Sequence, residues 1–90
     1  MTTRAHPPLE QGSTIEVLLF AVLRERAGWE RRRVPLSPGI CAAQLWQALG
    51  LGAGDLPSTV RVAVNQAFAD PLQPLAAGDE LAFLPPISGG

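Results

Sequence analysis

The residues best placed to do chemistry stand at the carboxyl end, in Leu84-Pro85-Pro86-Ile87-Ser88-Gly89-Gly90. Pro85 and Pro86 lack backbone N–H groups, so they stop strand pairing and stiffen the exit into polyproline geometry. Residues 85–90 span ~20 Å when extended, enough to enter a pocket on another protein. Gly89 and Gly90 have no Cβ, so the last peptide can thread a narrow channel and take whatever backbone angle it meets there. The reactive group of such a tail is its terminal carboxylate. ATP converts a carboxylate to an acyl-adenylate, a mixed anhydride open to attack by sulfur or nitrogen. On this reading Gly90 is the reacting residue, and Pro85, Pro86, Ile87, Ser88 and Gly89 are the thread that delivers it.

Other reagents are scarce. The chain has one Cys (Cys41) and one His (His6), and its seven basic residues are all Arg. A disulfide framework, a cysteine metal cluster, a Cys–His pair and a histidine metal site are all excluded, and a reducing compartment is expected. There is no Gly-rich phosphate loop. A net charge of −1 rules out a general nucleic-acid binder. No apolar run reaches the ~18–20 residues of a membrane span, and the first fourteen residues carry no apolar signal core. The expected location is the cytoplasm. Cys41, beside a helix start among apolar residues, reads as a buried structural thiol. Arg31-Arg32-Arg33 reads as a solvated strand face rather than a docking stripe for an acidic partner. The chain therefore lacks an enzyme's usual tools.

The elements that position the tail follow from patterning. Ninety residues, 47% apolar and 17% charged, make one small domain with a packed core. Residues 1–13 read as a flexible leader, residues 14–84 as the domain and residues 85–90 as an extended tail. Residues 14–23 form a strand whose alternation fails after Glu16, so both of its faces need cover. Residues 24–28 make a helical turn or loop, and residues 29–36 pair back as a hairpin, with Pro35 near the strand end. Ser37-Pro38-Gly39 signals a helix start with Ser37 as cap. Ala42, Leu45, Trp46 and Leu49 then mark one apolar face of a helix over residues 40–49, which Gly50 and Gly52 stop.

After a connector, residues 59–65 alternate, with Val60, Val62 and Val64 on one face. Asn65-Gln66 turns the chain into a short returning strand at residues 67–69. Leu72 and Leu75 anchor a loop, Gly78-Asp79 turns, and residues 80–84 form the last strand. The result is an α+β fold, a mixed sheet with one main helix on one face. If that helix covers one face, either Leu18 and Phe20 or Val17 and Leu19 project outward, with Phe83 or Leu84 nearby. Leu18, Phe20, Phe83 and Leu84 are the candidate partner surface.

The stretch from Val60-Arg61-Val62-Ala63-Val64-Asn65-Gln66 through Gly78-Asp79-Glu80 to Pro85-Pro86 and Gly89-Gly90 resembles the small subunit of molybdopterin synthase. That family carries an Asn-containing turn, Gly-Asp-Glu, an apolar strand, Pro-Pro and a terminal Gly-Gly. Residues 17–25 resemble its first strand and turn, so the likeness covers about residues 14–90. Leu81 and Ile87 stand where valine is common. The resemblance implies a ubiquitin-like β-grasp fold and a sulfur carrier. An adenylyltransferase would activate Gly90 with ATP, and a sulfur donor protein would convert it to a thiocarboxylate. The tail would then enter the large catalytic subunit and give sulfur to cyclic pyranopterin monophosphate, in a complex with two copies of each subunit. No permanently bound cofactor or metal is implied.

Three other readings compete: a sulfur carrier for thiamine thiazole, a protein modifier joined through Gly90 to lysines of targets, and an interaction domain with an idle tail. The thiazole carrier is usually shorter and lacks the Gly-Asp-Glu to Pro-Pro pattern. Having no Lys, this chain cannot polymerise through its own side-chain amines.

Overall fold

The computed structural model describes residues 13–86. Most of the expected leader, and Ile87, Ser88, Gly89 and Gly90 of the expected tail, lie outside the described residues. Five strands and two helices follow in the order β1 (Thr14–Leu19), α1 (Ala21–Ala27), β2 (Arg31–Pro35), α2 (Ala42–Ala48), β3 (Arg61–Val64), β4 (Ala67–Phe68) and β5 (Glu80–Leu84). The strands form one mixed sheet ordered β2-β1-β5-β3-β4, in which only the central β1–β5 pair is parallel. The expected α+β architecture is the one observed.

Registers sort the side chains onto two faces. Ile15, Val17 and Leu19 of β1 share the inner face with Val34, Leu81, Phe83, Val62 and Val64, and all are buried. Helix α2 lies on that face through Ala42, Leu45 and Trp46, with the Trp46 ring edge-on to Phe83 at 5.4 Å between centroids. The helix stops in a Schellman turn. Leu51 N–H donates to the Trp46 carbonyl and Gly50 N–H to the Gln47 carbonyl, with Gly50 at φ +67.

Three local expectations are corrected. The first strand ends at Leu19, not at residue 23. Ala21 takes φ +52, a left-handed angle that breaks the extended chain, and α1 begins there with Phe20 as its N-cap and Gly28 as its left-handed C-cap. Within β1 the burial alternates, so the unbroken apolar run is divided between a strand and the helix that buries Leu23. The cap of α2 is Cys41 rather than Ser37. Ser37-Pro38-Gly39 forms a separate turn closed by Ile40 N–H on the Ser37 carbonyl, with Gly39 at φ +81. Gln44 then reaches back, its Oε1 accepting from Cys41 N–H at 3.1 Å and from the thiol at 3.5 Å. Leu72 anchors nothing and is 71% exposed, whereas Leu75 is buried, as expected.

Candidate functional site: the outer sheet face and the root of the tail

Strand β5 carries the tail, and the structure holds it at the centre of the sheet between β1 and β3. Its start is fixed by two turns bonded to each other. Asn65 and Gln66 both have positive φ, +53 and +71, the backbone of a tight hairpin turn between β3 and β4. The Asn65 amide donates to Asp79 Oδ1 at 2.9 Å, and Asn65 Oδ1 accepts from Glu80 N–H at 3.0 Å. Asp79 Oδ2 accepts from Ala76 N–H at 2.8 Å, closing the Gly78-Asp79 turn. The Asn turn and the Gly-Asp-Glu triplet, far apart in the chain, are thus one fastening at the entrance of β5.

At its other end β5 stops with Leu84 opposite Arg61. Pro85 is half-buried and Pro86, the last described residue, is exposed.

On the outer face, the registers align Arg31, Leu18, Ala82, Ala63 and Phe68 in one row across the five strands. The two alanines in the middle leave a shallow floor. Around it stand Leu18, Phe20, Phe68 and Leu84, with Arg31, Gln66 and Glu80 at the polar edge, enclosing a groove of ≈ 480 Å³. Phe20 is 44% and Phe68 67% exposed. Rings of that size held in water cost solvation free energy that a partner's apolar surface would recover.

Of the residues assigned to a partner surface, Leu18, Phe20 and Leu84 come together here. Phe83 does not. It is fully buried on the opposite face, because side chains alternate along β5 and it packs against Trp46. Phe68, Ala63 and Ala82 were not picked out from the sequence. Phe68 sits in a two-residue strand too short to show a period, and an alanine floor is visible only once the registers are known.

Cys41 is buried at the N-cap of α2. Arg31 pairs with Glu16 at 3.2 Å, and Arg32 lies over the Trp29 ring at 4.5 Å. Among the described residues no group of three His, Cys, Asp or Glu side chains gathers, and no helix is long and apolar enough to cross a membrane.

An apolar groove beside a strand that runs into Pro-Pro is the setting in which the comparisons with known proteins gain meaning. The ThiS family matches residues 17–90. This chain belongs to that family. It is 37% identical over 82 residues to the molybdopterin synthase sulfur carrier subunit of Homo sapiens, covering 84% of this chain and 93% of that one. The kinship expected from the tail motif therefore holds.

Among solved structures, the Haloferax volcanii protein SAMP1 superposes with a TM-score of 0.72 at 34% identity, over 86% of this chain and 99% of that one. Subunits 1 and 2 of the Helicobacter pylori molybdopterin-converting factor have been solved as a protein–protein complex. A chain of that complex matches at TM-score 0.56 and 25% identity, over 86% of this chain and 99% of its own length. The fold is the ubiquitin-like β-grasp that the resemblance implied.

Proposed function

We propose that this ThiS-family chain is the sulfur carrier subunit of a molybdopterin synthase, with Gly90 as the acyl group that is loaded and unloaded. The observation that carries the reading is the placement of β5. A tail rooted in the central strand of a rigid sheet, beside an apolar groove, can be presented to one protein after another without disturbing the core. Kinship with sulfur carrier subunits supports the same role.

The Gly90 carboxylate attacks the α-phosphorus of ATP on an adenylyltransferase, and pyrophosphate leaves. A persulfide of a donor protein then attacks the acyl carbon and expels AMP, and a second thiol cleaves the resulting acyl disulfide, leaving the thiocarboxylate on Gly90 and a disulfide on the donor side. In the large subunit, sulfur passes to cyclic pyranopterin monophosphate, and water returns Gly90 to a carboxylate. Two such deliveries build one dithiolene, which suits a complex with two copies of each subunit. Proline at positions 85 and 86 limits the entropy lost when the tail enters a pocket, and Gly89 leaves the passage narrow. Acid–base groups belong to the large subunit, and ATP is consumed on the activating enzyme. The likeness to the complex of subunits 1 and 2 supports the large-subunit partner.

The test is intact mass of protein purified from its own host, together with deletion of Gly90. A carrier is heavier by the difference between one sulfur and one oxygen atom, and the deletion abolishes molybdopterin formation while leaving the thermal midpoint unchanged. If the truncated chain still supports molybdopterin formation, the reading is wrong. A second reading, a modifier joined to target lysines, is favoured by the likeness to SAMP1, a small archaeal modifier protein. Isopeptide adducts at Gly90 in the same mass measurement would select it.

A further inference from the structure

Arg61 stands at the root of the tail and has no carboxylate partner among the described residues. Arg24 and Arg31, by contrast, pair with Glu30 and Glu16 at 3.5 and 3.2 Å. Arg61 is the residue opposite Leu84 in the last pairing of the β3–β5 ladder, one position before Pro85. Its guanidinium lies over the Phe68 ring, 4.3 Å from the centroid. Stacking orders the side chain in advance, so less conformational entropy is lost when it takes up a ligand. The same two side chains, with the hydroxyl residues Ser58 and Thr59, line a second groove of ≈ 510 Å³ whose other residues include Pro85 and Pro86. Any protein that swallows the tail must press against this rim.

Resting on the sulfur-carrier reading above, we propose that this groove receives one acidic side chain of the large subunit, whose carboxylate forks onto Arg61 and fixes how deeply the tail is inserted. The charge pattern decides the ligand class. Asp70 lines a neighbouring groove together with Arg61, and the chain carries net charge −1. A single guanidinium in this groove, with Asp70 unpaired to it in the next one, suits one acidic group, whereas a polyanion extending further would be repelled by Asp70. The setting also strengthens the pair. Phe68, Leu84 and the prolines exclude water once a partner covers them, and a guanidinium loses less hydration on burial than an ammonium. Because Leu84 and Arg61 are fixed opposite each other, a carboxylate held at Arg61 sets the distance from the partner's surface to Pro85, and so the reach of the chain beyond it.

The experiment measures binding of the full chain to its cognate large subunit at low and at moderate ionic strength, for wild type, Arg61→Gln, Arg61→Lys and Arg61→Glu. Arg61→Gln weakens binding about tenfold at low salt, largely through slower association, and flattens the salt dependence. Arg61→Lys recovers part of the affinity, and Arg61→Glu is weaker than Arg61→Gln. All three retain the wild-type thermal midpoint within a few degrees, since the side chain is exposed. Arg61→Gln matching wild type in affinity and in salt dependence overturns the proposal and leaves the sulfur-carrier reading standing. Absence of any binding by wild type overturns that reading and this proposal together.

Discussion

Gly52 is the residue whose smallness the fold can least surrender. A Cβ built there would lie 2.7 Å from Cζ2 and 3.0 Å from Nε1 of Trp46. The indole cannot retreat, because it is 3% exposed and packed edge-on against Phe83. Gly52→Ala should therefore cost about 1–3 kcal/mol in denaturant unfolding. Trp46→Phe leaves space where the second indole ring was and removes an Nε1–H that has no acceptor among the described residues. In a double-mutant cycle, Gly52→Ala should then cost less in the Trp46→Phe background than alone. Equal costs in both backgrounds would show that the strain lies elsewhere. Nothing in the sequence marked Gly52 as a contact. It reads as a helix stop, and that function belongs to Gly50 alone.

At the scale of elements, the fastening between the two turns makes a measurable unit. Asn65 serves it twice, by accepting a positive φ and by bonding Asp79 and Glu80. Asn65→Gly keeps the first property and loses the second, whereas Asn65→Ala loses both. The expected order of stability is Asn65, then Gly, then Ala, with Asn65→Ala lower by about 1–3 kcal/mol in chemical denaturation. Asn65→Gly as stable as wild type would reduce the network to backbone geometry.

Elements were legible where the residues carry a period or a stop. The stripe Ala42, Leu45, Trp46 and Leu49 announced α2, and β5 was bounded by Gly78-Asp79 on one side and Pro85 on the other. The run from Val17 to Leu23 carried neither. Its division into β1 and α1 turns on the backbone angle of Ala21, an angle that an alanine does not advertise. The cap of α2 was misplaced for a similar reason. Ser37 is the better capping residue by type, but the polar partner that completes the capping box, Gln44, lies three residues after Cys41.

For the whole molecule, the two faces of the sheet make opposite predictions about neighbouring positions. Phe83→Ala empties the centre of the core and should cost about 3–5 kcal/mol, enough to unfold much of a domain this small. Phe68→Ala removes an exposed ring and should leave the thermal midpoint within a few degrees while weakening capture by the large subunit about tenfold or more. Circular dichroism melts and a binding isotherm on the same samples check both. If Phe68→Ala bound normally, the outer groove would not be the docking face. The tail motif made the carrier role legible. The candidate docking face was only half so: alternation left open whether Leu18 and Phe20 or Val17 and Leu19 face outward, and whether Phe83 or Leu84 joins them, and the β1–β5 register settles it by setting Phe83 beside the buried Leu19.

The position of β5 also has a mechanical meaning. On the proposed carrier role, each visit to a partner would end with the tail being pulled out, and the pull would enter the domain at Leu84. There it meets a strand bonded on both sides, parallel to β1 and antiparallel to β3. Tension along such a strand loads both hydrogen-bond ladders at once, in shear, and none of them can be peeled open one bond at a time. An edge strand such as β4, with only two paired residues, would tear at a fraction of that load. The carrier's handle is fixed where the sheet is hardest to unzip.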